Sequence, residues 1–312
     1  MKKIFLILFL LPVMANAQQY SYGMTELDLS DLISGTLYMP DTEEKCAMVI
    51  LHAGSGPTDR NGNQPGSEPN NSLRFLAEEL AAKGIAVYAY DKRMFKLALR
   101  ADFDERDMSF DDQIDDAAMA VNHFKKDARF NKVIPAGHSE GSLVCMIAAG
   151  KSNADAYISI AGAGNTIDVV LEEQIAKQAP FLVEDLKKTF VHLKKGDTVA
   201  VTNPYLLGLF KPSVQPFLIS WVKYNPQDEI KKLKMPVLIL NGTKDLQVGV
   251  KEAELLKAAK PDAELVIIEN MNHVLKEIKT DDAENQASYK NPKLPVQKEL
   301  VDAIVGFVGK LK

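Results

Sequence analysis

Three residues have the types and the chain order needed for nucleophilic acyl transfer. Ser139 lies between glycines in Gly137-His138-Ser139-Glu140-Gly141, Asp245 ends Asn241-Gly242-Thr243-Lys244-Asp245, and His273 ends Glu269-Asn270-Met271-Asn272-His273. A serine hydroxyl attacks poorly until an imidazole takes its proton, and the imidazole needs a carboxylate to fix its tautomer. The order serine, acid, histidine is one in which such sets occur. A carbonyl under attack develops an oxyanion, which must meet backbone amides. The amide of Glu140 follows the serine and is one donor. The second is expected from Gly54 in the loop His52-Ala53-Gly54-Ser55-Gly56, with Ser55 as the neighbouring alternative.

The elements around these residues put each of them at the end of a strand. Ala47–Leu51, 85–90, 132–137, 156–161 and 236–240 are short, almost continuously apolar runs, the mark of strands buried on both faces, and Leu265–Ile268 reads as a last strand. Helical spacing appears between them at 72–83, with Gly84 as its stop, at 110–127, at 142–149 and at 252–259, and a closing helix is predicted over 296–311. Strands alternating with helices imply a mostly parallel, doubly wound α/β sheet. Such sheets bind ligands beyond the carboxyl ends of their strands. Residues 24–39 alternate apolar and polar around Gly35 and read as an antiparallel pair turning there. The Gly- and Asn-rich stretch from His52 to Asn63 and residues 94–110 read as loops.

The remaining chemistry-bearing residues are quieter. His138 adjoins the serine and is expected to shape the turn; His52 belongs with its loop; His123 and His192 read as ordinary surface or packing residues. Cys46 and Cys145 are expected to be buried thiols, and no spacing suggests a zinc site or a cofactor. Lys2 and Lys3 precede the apolar run 4–13, which Ala15-Asn16-Ala17 follows, so residues 1–17 read as a signal peptide for a periplasmic or secreted protein. That run is shorter than the roughly 20 residues that span a bilayer. Without Lys2 and Lys3 the chain carries 35 basic and 42 acidic residues. This acidic balance, with no basic cluster, argues against nucleic acid and anionic membrane surfaces as partners.

Taken together, the motifs at 52–62, Tyr90-Asp91-Lys92-Arg93, Gly137–Gly141, Asn241–Asp245 and Asn272-His273 resemble the α/β-hydrolase superfamily over nearly the whole chain, and within it the exported bacterial esterase and serine-aminopeptidase-like hydrolases. The resemblance implies a triad of Ser139, Asp245 and His273. Ala53 and Met94 depart from it, standing where glycine is common. Residues 18–164 and 235–312 would form the core, and 165–234 a helical cap whose apolar residues pack on the core or line an acyl pocket. The expected substrate is a small to medium carboxylic ester. A peptidase reading would need a carboxylate for a free amine, from Glu140, Asp59, Glu172 or Glu173. A catalytically silent binding protein would keep the fold alone. Asp59 and Arg60 are expected to pair with each other, with recognition of a polar substrate group as the alternative.

Overall fold

Eight runs rich in β-branched, aliphatic and aromatic residues pair into one sheet in the computed structural model, which describes residues 19–311. The expected signal peptide lies outside those residues. The strands are β1 (Tyr22–Asp28), β2 (Ser34–Pro40), β3 (Cys46–His52), β4 (Ala86–Tyr90), β5 (Phe130–His138), β6 (Tyr157–Ile160), β7 (Val237–Gly242) and β8 (Glu264–Ile268). They lie in the order β1-β2-β4-β3-β5-β6-β7-β8. β2 runs antiparallel to β1 and β4, and every other pairing is parallel.

Both faces of the parallel part are covered, which is why its strands read as unbroken apolar runs. On one face, helices Phe110–Phe124 and Glu140–Ser152 pack Ile114, Val121, Phe124 and Val144 against Met48, Ile50 and Tyr88. On the other, helices Ser72–Ala82 and Lys298–Gly309 pack Leu76, Leu80, Ile304 and Phe307 against Val49, Val87 and Ile134. The chain leaves β3 toward one edge through β4 and returns beside β3 as β5, after which it proceeds toward the other edge. This reversal opens a crevice at the carboxyl ends of β3 and β5. There His52 pairs with Gly137, so the loop after β3 and the turn after β5 start side by side.

Between β6 and β7 the chain is helical, with Ile167–Gln178, Val183–Leu193, Gln215–Val222 and Pro226–Lys232 as its main helices. Leu186, Phe190, Phe210 and Leu218 form a small core of their own. It docks on the main domain through Phe110, whose ring stacks on Trp221 at 5.2 Å and whose amide donates to Ser220 Oγ at 2.7 Å. Ile230 and Leu233, by contrast, belong to the main core.

Some local expectations need correction. Gly35 lies inside β2, opposite Leu27, and the chain turns at 29–33. A Cβ on Gly35 would sit 2.4 Å from the Tyr88 ring, so a close aromatic contact explains this glycine. Residues 94–110 include the short helices Met94–Leu97 and Glu105–Asp107. Helix Asp282–Ser288 was not expected from the sequence. Cys46 and Cys145 are buried and unbonded, as expected.

Candidate active site

β5 delivers Ser139 on a sharp turn. Its φ of 54° and ψ of −120° are unusual for a side-chain-bearing residue, and such conformations cost about 1–3 kcal/mol where the surroundings enforce them. The flanking glycines show what enforces this one. A Cβ on Gly137 would lie 1.9 Å from the Gly141 carbonyl oxygen, and one on Gly141 would lie 2.6 Å from that of Ala53. Helix and strand therefore close on each other only where both positions lack side chains. The Ser139 amide donates to Ile160 O at 2.9 Å and ties the turn to β6. Helix Glu140–Ser152 starts at once, its positive end facing the serine.

Asp245 and His273 come from the loops after β7 and β8. His273 Nδ1 lies 2.7 Å from Asp245 Oδ2, and both residues are buried. The other carboxylate oxygen, Oδ1, accepts the amides of Gln247 and Val248, each at 2.8 Å, which fixes the carboxyl plane. The two loops can approach because Gly242 has no side chain: a Cβ there would sit 2.0 Å from Met271 O. Helix Asp282–Ser288 braces the pair. Asn285 accepts from Asn272 Nδ2 at 2.8 Å and donates to Lys244 O at 2.8 Å, linking the residues just before His273 and Asp245. The Ser139 hydroxyl has no hydrogen-bond partner among the described residues, but it lines the same cavity as His273.

The loop after β3 is pinned from below. Lys92, at the end of β4, is buried and its Nζ donates to Gly54 O and Gly56 O, each at 2.6 Å. Glu140 Oε1 stands 3.7 Å from the same ammonium and accepts from Gln113 Nε2 at 3.1 Å. Gln113 Oε1 lies 3.1 Å from His52 Nε2, and His52 Nδ1 lies 2.7 Å from the Tyr90 hydroxyl. Burial lowers the Lys92 pKa, against the opposing pull of Glu140. Gly54 sits against the serine: a Cβ on it would lie 3.2 Å from Ser139 Cβ. Gly54 and the start of the helix at Glu140 thus lie on either side of Ser139.

These strands and loops have counterparts in known proteins. Residues 68–204 match the family described as "Serine aminopeptidase, S33". Esterase EstD of Thermotoga maritima is 26% identical over 249 residues, which cover 78% of this chain and 58% of that protein's length. Est1E from Butyrivibrio proteoclasticus superposes with a TM-score of 0.56 at 17% identity, over 92% of this chain and all of that one. A puromycin-hydrolyzing peptidase from Mycobacterium tuberculosis does so with a TM-score of 0.57 at 16% identity, over 97% of this chain and 41% of that one. The chain has the α/β-hydrolase fold. Its matches lie in the esterase and serine-aminopeptidase-like group.

Two cavities meet at Ser139, and Ser55 and Gln247 also line both. One, of about 280 Å³, runs past His273 between the 55–72 loop and Tyr289. The other, of about 150 Å³, lies under the helices between β6 and β7 and is lined by Leu143, Val170, Leu171, Leu209, Leu218 and Trp221.

Several carboxylates read from the sequence as amine holders are engaged elsewhere. Asp59 accepts the amides of Asn61 and Asn63. Arg60 pairs with Asp91 at 2.8 Å and Glu26 at 2.6 Å instead of with Asp59, because its side chain runs back across the sheet edge. Glu172 and Glu173 face Lys187 and Lys251. The sequence names Lys92 only within the motif Tyr90-Asp91-Lys92-Arg93 at a strand's carboxyl end and assigns it no role of its own. Asp91, Lys92 and Arg93 each anchor a different element, with Arg93 bound to Asp112 and Asp116 of helix Phe110–Phe124.

Burial also sets the histidines beside the site. His138 Nε2 donates to the His273 carbonyl at 2.8 Å, so it holds the backbone of His273. Burial, aided by the nearby His273, pushes the His138 pKa down to about 3, and burial with the charge on Lys92 does the same at His52. An unfolded histidine takes up its proton near pH 6.5, so between about 6.5 and 3 the unfolded chain binds more protons than the folded one. Stability is accordingly expected to fall as pH drops through that window, by about 1.4 kcal/mol per unit for each ring. Urea unfolding at pH 7 and pH 5 measures this. His52→Gln should reduce the loss, and an unchanged loss in that variant would contradict the assignment.

Proposed function

We propose that this α/β-hydrolase cleaves small to medium carboxylic esters through an acyl-enzyme on Ser139. His273 takes the serine proton as Oγ attacks the acyl carbon, and Asp245 holds the imidazole and balances its charge. The amides of Glu140 and Gly54 receive the oxyanion. Water then attacks the acyl-enzyme with His273 again as base. One observation carries this reading: the strained turn at Ser139 opens onto the cavity that holds His273, whose Nδ1 is 2.7 Å from Asp245.

The ester reading is favoured over an aminopeptidase by the apolar cavity. In an aminopeptidase the free amine sits on the acyl side of the scissile bond, where a carboxylate must meet it. Glu140 is the one acidic residue lining that cavity among the described residues, and its carboxylate is held by Gln113 and Lys92. The similarity to an esterase supports the same choice, while the matched family's description keeps the peptidase as the competitor. Assay of p-nitrophenyl acetate and butyrate against alanyl and leucyl p-nitroanilides tests it. Esters should be turned over with kcat/KM of about 10⁴ M⁻¹ s⁻¹ or more, and the anilides far more slowly. Turnover of the anilides alone would reverse the assignment. Export belongs to the same reading, and the N-terminal sequence of the protein recovered outside the cytoplasm should then begin at Gln18.

A further inference from the structure

The two cavities at Ser139 differ in chemistry, and His273 lines only one of them. Granted the ester reading proposed for Ser139, on which the inference rests, this difference assigns the two halves of the substrate. In acylation the bond from Ser139 Oγ to the acyl carbon forms and the bond from that carbon to the alkoxy oxygen breaks. The serine proton passes through His273 to the departing oxygen, which leaves as the alcohol. Deacylation adds hydroxide from water to the acyl carbon and returns the other proton through His273 to Ser139. The alkoxy group must therefore stand beside His273, in the larger cavity, and the acyl group in the smaller apolar one.

The larger cavity is lined by Ser55, Gln64, Ser67, Glu68, Gln247 and Lys290 next to His273. Among the described residues the Glu68 carboxylate and the Lys290 ammonium have no ion-pair partner, and the Ser55 and Ser67 hydroxyls have no hydrogen-bond partner. One carboxylate and one ammonium together present no net charge, while acceptors and donors are both plentiful. Hydroxyl groups satisfy both kinds. A cationic alcohol could answer Glu68 but would leave the Lys290 ammonium facing a like charge, and an alkyl alcohol would strip water from this surface without replacing its hydrogen bonds. The smaller cavity, about 150 Å³ and lined by leucine, valine and tryptophan side chains, is about the size that accommodates a benzene ring. We infer that the substrates are esters joining a short apolar acyl group to a neutral, polyhydroxylated alcohol of about monosaccharide size.

Butyrate esters of glucose, n-butanol and choline, with p-nitrophenyl butyrate as the reference, test the assignment. The glucose ester should exceed the butyl ester about tenfold in kcat/KM, and exceed the choline ester as well. In the double variant Glu68→Leu with Lys290→Leu the ratio of glucose ester to butyl ester should fall toward one. Leu209→Trp should shift acyl preference from butyrate to acetate and keep the preference among alcohols. Equal or better use of the butyl or choline ester by the wild type would overturn the inference while leaving the ester reading standing, and so would an unchanged ratio in the double variant. Failure to turn over any of these esters, p-nitrophenyl butyrate included, would bring down the ester reading and this inference with it.

Discussion

Asp245→Asn is expected to lower kcat on p-nitrophenyl butyrate by about 10⁴-fold while the protein stays folded. The reason lies in how the carboxyl group is held. Its Oδ1 accepts two amides, from Gln247 and Val248, and only an oxygen can take that place. An asparagine would keep its carbonyl there and turn its NH₂ toward His273 Nδ1, where the aspartate oxygen stands at 2.7 Å. The imidazole would then accept at Nδ1 and carry its proton on Nε2, which leaves no lone pair for the serine proton. A loss smaller than tenfold would mean that Asp245 does not orient the base.

Lys92→Met should be the most damaging change outside the proposed triad of Ser139, Asp245 and His273. Methionine matches the length of the lysine stem, but it leaves the Gly54 and Gly56 carbonyls without their donor and the buried Glu140 carboxylate without its cation. Removing one partner of a buried pair costs about 3–5 kcal/mol, to be read from urea midpoints. Adding Glu140→Gln removes the stranded charge and should restore most of the stability. It does not restore the pinned loop. The double variant should therefore still show kcat reduced by up to about 10²-fold with KM nearly unchanged, since the oxyanion's charge appears only in the transition state. Wild-type kcat in the double variant would show that Lys92 serves stability alone.

How much could be read from the sequence depends on where the forces act. The parallel strands were legible because burial on both faces demands continuous apolar runs such as Met48–Leu51 and Leu238–Leu240. The glycines around Ser139 were legible because the sterics of the turn are local. Lys92 was not, since its acceptors are backbone carbonyls 38 and 36 residues upstream, which leave no trace in side-chain pattern. Helix Asp282–Ser288 escaped for a related reason. Its buried residues are Asn285 and Ser288, so it is held by hydrogen bonds and shows no apolar stripe. Gly35 misled because a glycine that admits the Tyr88 ring looks the same in sequence as one that makes a turn. The polar and apolar cavities are assembled from segments far apart in the chain, joining Ser55, Gln247 and Lys290 in one and Leu143 and Trp221 in the other.

The central claim is that Ser139 is a nucleophile activated by its surroundings. A fluorophosphonate probe reacts with such serines, and intact-mass measurement followed by peptide mapping locates the adduct. The wild type should take up one equivalent on Ser139, and Ser139→Ala should take up none. An unlabelled wild type, or equal labelling of Ser139→Ala, would contradict the account.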